Sequence, residues 1–379
     1  MKVLQVTPSF HPAYVYGGVT RAVFDLCQNL SQAACEVNVL TTDANGPHSV
    51  LVVDTERDVM LGERFTVRYC HRVIDVAVSP SLIAAIPRYV RQSDVVHLNA
   101  VYSFTTLPIL AAARAFRKPI VWSPHGMLQR WEGTSRRRLK SLWEHFCKVI
   151  APPGLVLHLT SEDEQRKSLE RFQGFRSIVI PNIVDAPGPL EKTGRNGLLR
   201  LLYLGRLDPI KGIENLIQAC SLLNSGSFRT WKLSIAGDGD SAYRTSLERR
   251  IQSLGLAGQV TMVGSVQGHV KARSFCDADV VVVPSYSENF GLVVGEALAH
   301  EVPVIASHGT PWKKIEEVGC GMWVDNSPES LSNSIRRAAN MPLIEMGKRG
   351  RTWIDREFSG RQIADRFVNL YQELVSAVA

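Results

Sequence analysis

The stretch Ser285–Trp312, SYSENFGLVVGEALAHEVPVIASHGTPW, directly follows the four valines Val280–Val283 and Pro284. The valine run predicts a strand that is buried on both faces, with Pro284–Phe290 as its exit loop. Gly291–Ala299 then reads as a short helix. Because ligands bind at the carboxyl ends of strands in α/β sheets, this stretch predicts both an α/β fold and a binding site.

Two glutamates, Glu288 and Glu296, lie eight residues apart across this strand-to-helix junction. At 3.6 residues per turn this spacing is about two turns, so both carboxylates can face one cleft along the helix axis. A carboxylate accepts hydrogen bonds from the vicinal diol of a ribose or a hexose, so the pair indicates a sugar nucleotide. The alternative is that Glu288 caps the helix and Glu296 is a solvated helix residue.

Short β-branched segments alternate with amphipathic helical patterns along the chain, which is the rhythm of βαβ units. The predicted strands of the first half are Val3–Thr7, Val37–Thr42, Val95–Leu98, Ile120–Ser123, Leu155–Thr160 and Ile178–Pro181. Those of the second half are Leu199–Leu204, Leu233–Ala236, Val260–Val263, Val280–Val283 and Val302–Ala306. Between the halves, Asp185–Asn196 contains two prolines, two glycines and several charges without periodicity, as linkers do.

We therefore predict an α/β protein with two Rossmann-like domains, residues 1–186 and 198–358, joined by a linker at 187–197. A C-terminal helix at 359–379 is expected to pack back on the first domain. A chain of 379 residues fits two domains of common size. The longest apolar runs are too short for a spanning helix, and no signal peptide is recognised.

Composition narrows the class of function. The formal charge of +7 suits anionic ligands or an anionic surface, but no basic-aromatic motif indicates nucleic acid. The seven cysteines are odd in number and lack C-x-x-C spacing, which argues against a disulfide framework or a zinc site. A reducing cytoplasm fits this pattern best.

Glycine-rich loops follow strands in both halves of the chain. Tyr16-Gly17-Gly18 precedes a predicted helix, where free N–H groups and the positive helix end can face a phosphate, although a tight turn would use the same glycines. Arg206 and Lys211 lie in one strand-to-helix turn and can neutralise a diphosphate; solvated surface charges are the alternative. The Gly237-Asp238-Gly239 match to a dinucleotide pattern is weak, because the next strand ends in Gly264-Ser265 without the acidic residue that an NAD ribose needs.

His125 lies just past a first-domain strand, in Trp122–Gly126. If the strand directions are as predicted, it faces the interdomain cleft, where it can be catalytic; a structural histidine is the alternative.

These motifs together resemble the retaining GT-B glycosyltransferases of the large E-x7-E family, glycosyltransferase family 4. The resemblance covers nearly the whole chain and extends to bacterial cell-surface polysaccharide enzymes. Its elements are Gly17-Gly18, the strand end at His125, Ile180–Asp185, Gly205-Arg206 with Lys211-Gly212, Ala236–Gly239, and Glu288 with Glu296.

The resemblance implies roles for individual residues. Arg206 and Lys211 would bind the donor diphosphate, Glu296 the nucleotide ribose, and Glu288 the donor sugar together with the backbone of Asn289–Gly291. His125 would reach the sugar from the opposite domain, Gly17-Gly18 would approach the phosphates, and Val263–Val266 would contact the base. The expected catalytic residues are His125, Glu288, Arg206 and Lys211. The expected donor-binding residues are Gly17, Gly18, Asn182, Gly205, Arg206, Lys211, Gly237, Gly264, Val266, Glu288, Asn289, Phe290, Gly291, Leu292 and Glu296.

The implied chemistry uses no metal and no cofactor besides the nucleotide-sugar cosubstrate, with a UDP-sugar favoured and a GDP-sugar possible. The resemblance implies a metal-independent step, in which Arg206, Lys211 and backbone amides stabilise the leaving diphosphate. The family implies front-face substitution with retention, in which Glu288 orients the sugar. Two segments depart from the family pattern: Ala299–Pro303 stands where a small glycine-rich turn is usual, and Ser307–Trp312 replaces a more usual glycine-plus-glutamate segment. The second departure leaves the identity of the donor sugar undetermined.

The expected acceptor is a saccharide or a lipid-linked saccharide in exopolysaccharide or cell-envelope glycan assembly. Two alternatives remain: a UDP-sugar epimerase of GT-B architecture and a non-catalytic sugar-nucleotide-binding protein. The helix pattern at 135–149 indicates peripheral contact with the inner face of a membrane. Its basic residues Arg136, Arg137, Arg138 and Lys140 flank Leu139, Leu142, Trp143 and Phe146. An ordinary core-facing helix with a charged end is the alternative.

Overall fold

The chain forms two compact units. The computed structural model describes residues 1–73, 78–129, 136–188, 197–224, 228 and 230–378. Unit 1 comprises Met1–Ile183 and Gly360–Ala379, and unit 2 comprises Val184–Ser359. The predicted linker at 187–197 falls largely on residues 189–196, which lie outside the described residues.

Unit 1 is built on one sheet with helices on both faces. Its strands are β1 Lys2–Val6, β2 Glu36–Thr42, β3 Asp58–Gly62, β4 Phe65–Cys70, β5 Val95–Asn99, β6 Ile120–Ser123, β7 Val156–Leu159 and β8 Arg176–Val179. Its first five helices are α1 Gly18–Gln32, α2 Pro80–Gln92, α3 Thr106–Ala115, α4 Arg137–Ile150 and α5 Glu162–Arg171. The strand order is β3-β4-β2-β1-β5-β6-β7-β8, and only β3 runs antiparallel to its neighbour.

Unit 2 repeats the plan with a smaller, wholly parallel sheet. Its strands are β9 Leu199–Leu204, β10 Trp231–Ala236, β11 Val260–Gly264, β12 Val280–Val283, β13 Val304–Ser307 and β14 Gly321–Val324. Its helices are α6 Ile213–Leu223, α7 Ser241–Ser253, α8 Gly268–Cys276, α9 Leu292–Ala299, α10 Lys314–Val318, α11 Pro328–Ala338 and α12 Leu343–Glu357. The strand order is β11-β10-β9-β12-β13-β14. Two Rossmann-like α/β units were predicted, and this prediction is confirmed.

The unit boundaries differ slightly from the predicted domain limits. Val184 packs into the core of unit 2, and its N–H donates to the carbonyl of Phe358 over 2.9 Å. The carbonyl of Pro187 accepts a hydrogen bond from Arg351 over 2.7 Å. The first unit therefore ends at Ile183, three residues before the predicted limit of 186, because these contacts already belong to unit 2.

The C-terminal helix α13, Gly360–Ser376, belongs to unit 1. Its residues Phe367 and Tyr371 are buried in the same apolar cluster as Val3 of β1 and Val95 of β5. One face of the first sheet is thus closed by the end of the chain. Among the described residues, none of the helices is both long and apolar enough to cross a membrane.

The sheet orders mark where ligands bind in this fold class. In a doubly wound sheet, the crevice lies outside the carboxyl ends of the strands where the strand order reverses. In unit 1 the order reverses between β1 and β5, and in unit 2 between β9 and β12. The loops that follow these four strands are therefore the first place to look for a site.

Candidate nucleotide-sugar site

In unit 2 the loops after β9 and β12 are tied to each other by their backbones. The N–H of Tyr286 donates to the carbonyl of Ile210 over 2.8 Å. Gly212 has φ +62°, and a Cβ at this position would lie 2.1 Å from the carbonyl oxygen of Pro284. Because only glycine allows this approach, Gly212 lets the two loops meet at the switch point of the sheet.

This contact brings Lys211 and Glu288 together. The Lys211 Nζ lies 2.6 Å from Glu288 Oε1, and both side chains are largely buried, at 17% and 12% exposure. The hydroxyl of Ser285 donates to the same carboxylate oxygen over 2.8 Å. Two residues that were predicted to bind different parts of one donor therefore form a single ion pair here.

The loop between Glu288 and α9 is held without a side-chain cap. Gly291 is the N-cap residue with φ +75°, and no side chain caps the helix. The helix-cap alternative for Glu288 is therefore wrong. The N–H of Glu288 donates to the carbonyl of Gly309 over 2.8 Å, and the indole N–H of Trp312 donates to the carbonyl of Phe290. The unusual His308–Trp312 segment thus supports the backbone of the loop that carries Glu288.

Glu296 lies within α9 and pairs with a different cation. The Lys271 Nζ of α8 lies 2.5 Å from Glu296 Oε1, and the two side chains are 30% and 27% exposed. Glu296 is therefore partly buried and paired, in contrast to the solvated helix residue of the alternative interpretation. Each glutamate of the E-x7-E motif is matched by one lysine.

Arg206 lies in the same β9–α6 loop as Lys211 but remains more exposed. Its guanidinium is 3.9 Å from Asp208 Oδ2, and 64% of the side chain is exposed. The hydroxyl of Tyr203 donates to the Arg206 carbonyl over 2.8 Å, which fixes the backbone and leaves the side chain free to turn toward an anion. An exposed guanidinium in a fixed loop is well suited to bind a phosphate group.

The packing of Gly237 explains the glycines of the Gly237-Asp238-Gly239 segment, which weakly matches a dinucleotide-binding pattern. A Cβ at Gly237 would lie 1.8 Å from the carbonyl oxygen of Gly205, and the N–H of Leu207 donates to the Asp238 carbonyl over 2.9 Å. The glycine allows the β10 loop to pack against the β9 loop that carries Arg206. This part of the pattern is explained by loop packing, which supports Arg206 indirectly.

The other predicted donor residues of unit 2 surround these loops. Gly264 ends β11, and its carbonyl accepts a hydrogen bond from Gly237 over 2.8 Å. Val266 is partly buried against the apolar cluster that contains α9. Asn289 and Leu292 flank the Phe290-Gly291 turn and are partly buried.

In unit 1, the predicted phosphate loop stands at the start of α1. Gly17 is the N-cap residue with φ +80°, and Gly18 is the first residue of the helix. A Cβ at Gly17 would meet no atom within 4 Å, so the backbone here faces open space. Free N–H groups at a helix N-terminus in such a position can bind an anion.

His125 follows β6 in a strained turn. Its φ of +50° is unusual for a residue with a side chain. The imidazole Nε2 lies 2.8 Å from Asn99 Oδ1. Burial, together with the neighbouring His158, lowers the pKa of His125 to about 3, so the ring is neutral at pH 7. Asn182 lines the same small pocket as His125 and Asn99.

Sequence reasoning missed Lys271, Asn99 and the role of Trp312. Lys271 gives no local signal, since it is one of many charges on amphipathic helices. Asn99 does give a signal: it ends the strand VVHLN, in which a buried segment carries two polar residues on one face. Polar residues in a strand buried on both faces are unusual and indicate a specific network.

Sequence comparisons agree with this geometry. Residues 16–186 match the sequence model described as Glycosyltransferase Family 4, and residues 191–353 match the one described as Glycosyl transferases group 1. A GDP-mannose:cellobiosyl-diphosphopolyprenol alpha-mannosyltransferase of Xanthomonas campestris is 27% identical over 352 residues. That alignment covers 89% of this chain and 87% of the relative.

Solved structures share the fold. The sucrose-phosphate synthase of Thermosynechococcus elongatus superposes with a TM-score of 0.75 at 22% identity, over 99% of each chain. HepE of Anabaena, solved in complex with UDP, has a TM-score of 0.75 at 18% identity and covers 99% of this chain and 100% of its own. At these identities the likeness shows the GT-B fold alone. The two sequence models, which together span nearly the whole chain, show that it belongs to glycosyltransferase family 4.

Proposed function

We propose that this glycosyltransferase transfers a hexose, with retention of the anomeric configuration, from a nucleotide-diphosphate sugar to a saccharide or lipid-linked saccharide. The observation that carries the proposal is the Lys211–Glu288 pair at the switch point of unit 2, with Arg206 in the adjoining loop. Anionic and cationic groups within one tied pair of loops suit a ligand that has both hydroxyl groups and a diphosphate.

Lys211 and Arg206 bind the diphosphate in this proposal. A diphosphate next to Lys211 competes with Glu288 for the ammonium group, which leaves carboxylate lone pairs of Glu288 available for sugar hydroxyls. Glu296 accepts the hydroxyl groups of the ribose. A carboxylate has about four acceptor positions, so Lys271 can stay bound while the diol donates to the others. Gly17 and Gly18 of unit 1 approach the phosphates, and His125 contacts the donor sugar.

The chemical step is a front-face substitution. The bond between the anomeric carbon and the diphosphate oxygen breaks, and the acceptor oxygen forms a bond to the same face of that carbon. The acceptor proton passes to the departing diphosphate. In this proposal Glu288 orients the sugar and forms no covalent bond to it, and the hydroxyl of Ser285, which donates to Glu288 Oε1, helps to hold the carboxylate in place. Transition-state charge on the diphosphate is stabilised by the two cations without a metal ion.

A UDP-sugar is the favoured donor, with a GDP-sugar as the competing possibility. Structures of the same fold contain UDP or UDP-glucose, whereas the named activity of the Xanthomonas relative uses GDP-mannose. A thermal-shift panel of UDP, GDP and ADP with their glucose and mannose conjugates tests this choice. Ligand at a hundred times its dissociation constant stabilises the folded state by about 2.7 kcal/mol.

Turnover then tests the reaction class. Release of the nucleoside diphosphate is measured with the donor that gives the largest thermal shift, with and without a panel of saccharide acceptors. NMR of the product reads the anomeric configuration. Binding of a nucleotide sugar without release of the diphosphate under any condition contradicts the proposal, and conversion of the free nucleotide sugar to its epimer points to an isomerase. An inverted product contradicts retention.

The proposed acceptor is lipid-linked, which places the enzyme at the cytoplasmic face of a membrane. The Xanthomonas relative is named for a diphosphopolyprenol acceptor, and all seven cysteines here are buried thiols, as expected for a reducing compartment. Helix α4 of unit 1 supplies the contact surface. Four apolar side chains form an exposed stripe along it, with exposures of 47–61%: Leu139, Leu142, Phe146 and Val149.

The structure changes the composition of this surface. Trp143 was expected in the apolar stripe, but its indole N–H donates to the Val101 carbonyl over 2.8 Å on the core-facing side. Lys140 also turns inward, with its Nζ 5.1 Å from the centre of the Tyr102 ring. The exposed surface therefore consists of the stripe with Arg136, Arg137 and Arg138 beside it, and suits an anionic bilayer.

Liposome flotation tests this contact. The wild-type protein is expected to float with vesicles that contain 30% anionic phospholipid and less with neutral vesicles. The double variant Leu142→Ser and Phe146→Ser is expected to lose most of this binding. The matched control is Ile344→Ser in unit 2, since Ile344 is 48% exposed. Equal flotation of the double variant and the control contradicts the membrane surface.

A further inference from the structure

A network of buried polar side chains lies at the carboxyl ends of four adjacent strands in unit 1. Its members come from β1, β5, β6 and β7 and face the side of the sheet that α13 covers. The residues of the network are Gln5, His97, Asn99, Ser123 and His158, and each is at most 3% exposed. Such groups in an apolar surrounding are tolerated only when their hydrogen bonds are satisfied.

The direction of each hydrogen bond in the network can be assigned by starting from the carbonyl group of Ile180. His158 Nε2 lies 2.8 Å from the carbonyl oxygen of Ile180, which can only accept. Burial lowers the pKa of His158 to about 4, so the neutral ring carries its single proton on Nε2. Its Nδ1 must then accept from the hydroxyl of Ser123, over 2.6 Å. Because the Ser123 hydroxyl proton is donated to His158, the Ser123 oxygen accepts a hydrogen bond from His97 Nε2 over 2.6 Å.

The assignment continues through His97 to the loop of His125. The unprotonated His97 Nδ1 accepts from Gln5 Nε2 over 3.1 Å. The amide oxygen of Gln5 therefore accepts from Asn99 Nδ2 over 2.9 Å. This leaves Asn99 Oδ1 as the atom that faces His125 Nε2 over 2.8 Å. Since an amide oxygen can only accept, His125 must carry its proton on Nε2.

One further contact supports this assignment, and a separate one holds the backbone of the His125 turn. Asn99 Nδ2 also lies 3.3 Å from the carbonyl oxygen of Val6, which confirms that the nitrogen and not the oxygen points toward β1. The backbone of the His125 turn is anchored separately, because the N–H of Gly126 donates to the buried Glu164 carboxylate over 2.6 Å. The backbone and the ring of His125 are thus held by different partners.

We infer that Asn99 is a positioning residue that holds His125 in the Nε2–H tautomer, so that Nδ1 accepts a hydrogen bond from a hydroxyl group of the donor sugar. The role toward the sugar rests on the proposed function, whereas the tautomer rests on the network alone. In the opposite tautomer, or as an imidazolium, Nδ1 would carry a proton and could not accept. The network therefore determines whether the ring offers this sugar contact an acceptor or a donor.

The strained turn fits this role. A non-glycine residue in the left-handed region is unfavourable, and such residues cluster at sites where the geometry serves a function. His125 adopts φ +50°, while Asn99 and Glu164 determine the position of its ring and of its backbone. A histidine with only a packing role would not need two such anchors.

Histidine ring NMR tests the tautomer without any substrate. The full-length protein is labelled with ¹⁵N-histidine at pH 7, and the His125 signals are assigned by their loss in His125→Asn. The expected spectrum has a protonated Nε2 and an unprotonated Nδ1. In Asn99→Asp, the new carboxylate is expected to stabilise a ring protonated on both nitrogens. An Nδ1–H tautomer in the wild type, or an unchanged His125 spectrum in Asn99→Asp, overturns the inference.

Kinetics separate positioning from general structural support. Asn99→Asp is expected to lower kcat by about three- to tenfold, the factor for one lost hydrogen bond, with the donor Kd within about twofold. Tyr371→Phe is the matched control. Tyr371 donates to His97 Nδ1 over 2.6 Å, and in its absence that nitrogen still accepts from Gln5, so Tyr371→Phe is expected to leave the tautomer and kcat unchanged. An equal loss of kcat in both variants overturns the inference.

The two measurements distinguish the two proposals. The spectrum is independent of turnover, so the expected tautomer in a protein that turns over no nucleotide sugar contradicts the proposed function. Turnover of a nucleotide sugar by a protein with the other tautomer contradicts the role of Asn99 instead.

Discussion

The two units hold their candidate site residues in opposite ways. In unit 2, oppositely charged side chains are paired with one another: Lys211 with Glu288, which are largely buried, and Lys271 with Glu296, which are about one-third exposed. In unit 1, His125 is neutral and is joined to a fully buried network that ends at Ile180. One unit therefore offers charges that can change partners, and the other offers a fixed and uncharged hydrogen-bonding geometry.

This difference follows from the cost of moving each kind of group. A partly exposed ion pair such as Lys271–Glu296 typically contributes less than about 1 kcal/mol to stability, so a ligand can compete for either partner at small cost. The more buried Lys211–Glu288 pair is costly to break, so a ligand must supply a new partner for each of its charges. In a buried polar network, each group that is left without a hydrogen-bond partner costs about 1–3 kcal/mol of folding free energy. Unit 2 is suited to bind and release a charged diphosphate, whereas unit 1 is suited to hold one ring in one state.

The largest effect is expected from removing the cations of unit 2. Arg206→Ala and Lys211→Ala should each cost about 2.7–4 kcal/mol of transition-state stabilisation, or a hundredfold to thousandfold in rate. The reason is that the diphosphate gains charge as it leaves, and these side chains are the proposed stabilisers. Turnover of the best donor is measured in the presence of EDTA.

The control for this prediction is Arg356→Ala. Arg356 is 70% exposed, similar to Arg206, and pairs with Glu357 at the end of α12. It should keep wild-type turnover. Abolition of activity by EDTA with restoration by magnesium contradicts the metal-free mechanism, and more than about a third of the wild-type rate in both alanine variants contradicts the diphosphate site.

The two glutamates are expected to separate binding from turnover. Glutamine keeps the shape of the side chain but removes a charge-assisted acceptor, which costs about 1.5–3 kcal/mol. Glu296→Gln should mainly raise the donor Kd, and Glu288→Gln should mainly lower kcat. Calorimetric titration and steady-state rates measure the two effects. If both variants bind and turn over the donor like the wild type, the E-x7-E assignment is wrong.

Much of the unit 2 site was predictable from the sequence because its signals are local. The four-valine run, the loop with Glu288 and the start of α9 near Gly291 are adjacent in the chain. The glycines that let the loops meet, such as Gly212 and Gly237, also give strong local signals. A strand followed by glycine and a helix has few structural interpretations.

The partners of these residues were not predictable, because they depend on register between distant segments. Lys271 reaches Glu296 from α8, and Glu288 meets Lys211 from the β9–α6 loop. The unit 1 network depends on parallel pairing that aligns Gln5 with His97 and Asn99 with Ser123. Strands β3, β4 and β14 were also missed. Strand β3 is largely exposed and β14 begins with a glycine, which disfavours strands, whereas the alternating pattern of β4 does give a strand signal.

Acid should destabilise unit 1 through its buried histidines. The pKa of His158 is lowered from about 6.5 to about 4 by burial, so below pH 6.5 the unfolded chain binds a proton that the folded chain does not. Stability is therefore lost as the pH falls from about 6.5 toward 4. At pH 5 this histidine alone accounts for up to about 2 kcal/mol. Urea unfolding at pH 7.5 and pH 5 measures the loss.

His158→Gln is the comparison variant for the pH effect. Its amide can donate to the Ile180 carbonyl and accept from Ser123, but it does not titrate. The variant should lose less stability than the wild type between pH 7.5 and pH 5. The other buried histidines are common to both proteins, but His158 also lowers the pKa of His97 and His125, so the difference reports His158 together with its effect on these two neighbours. An identical pH dependence shows that His158 does not resist protonation in the folded state.

The smallest effect is expected from replacing Lys271. This replacement tests how the Lys271–Glu296 ion pair responds when the donor binds. The Lys271–Glu296 pair is about one-third exposed, so Lys271→Met should cost only about 0.2–1 kcal/mol, at most about fivefold in donor Kd. The affinity should fall and not rise, because Glu296 has further acceptor positions for the ribose and does not need to be released. Lys232→Met, on β10, is the exposed control and should leave donor Kd unchanged. Calorimetric titration measures both variants. A tenfold loss would make Lys271 a principal donor ligand, and tighter binding would mean that the ion pair must break before the ribose binds. Either result contradicts the proposal that Lys271 stays paired with Glu296 while the ribose binds.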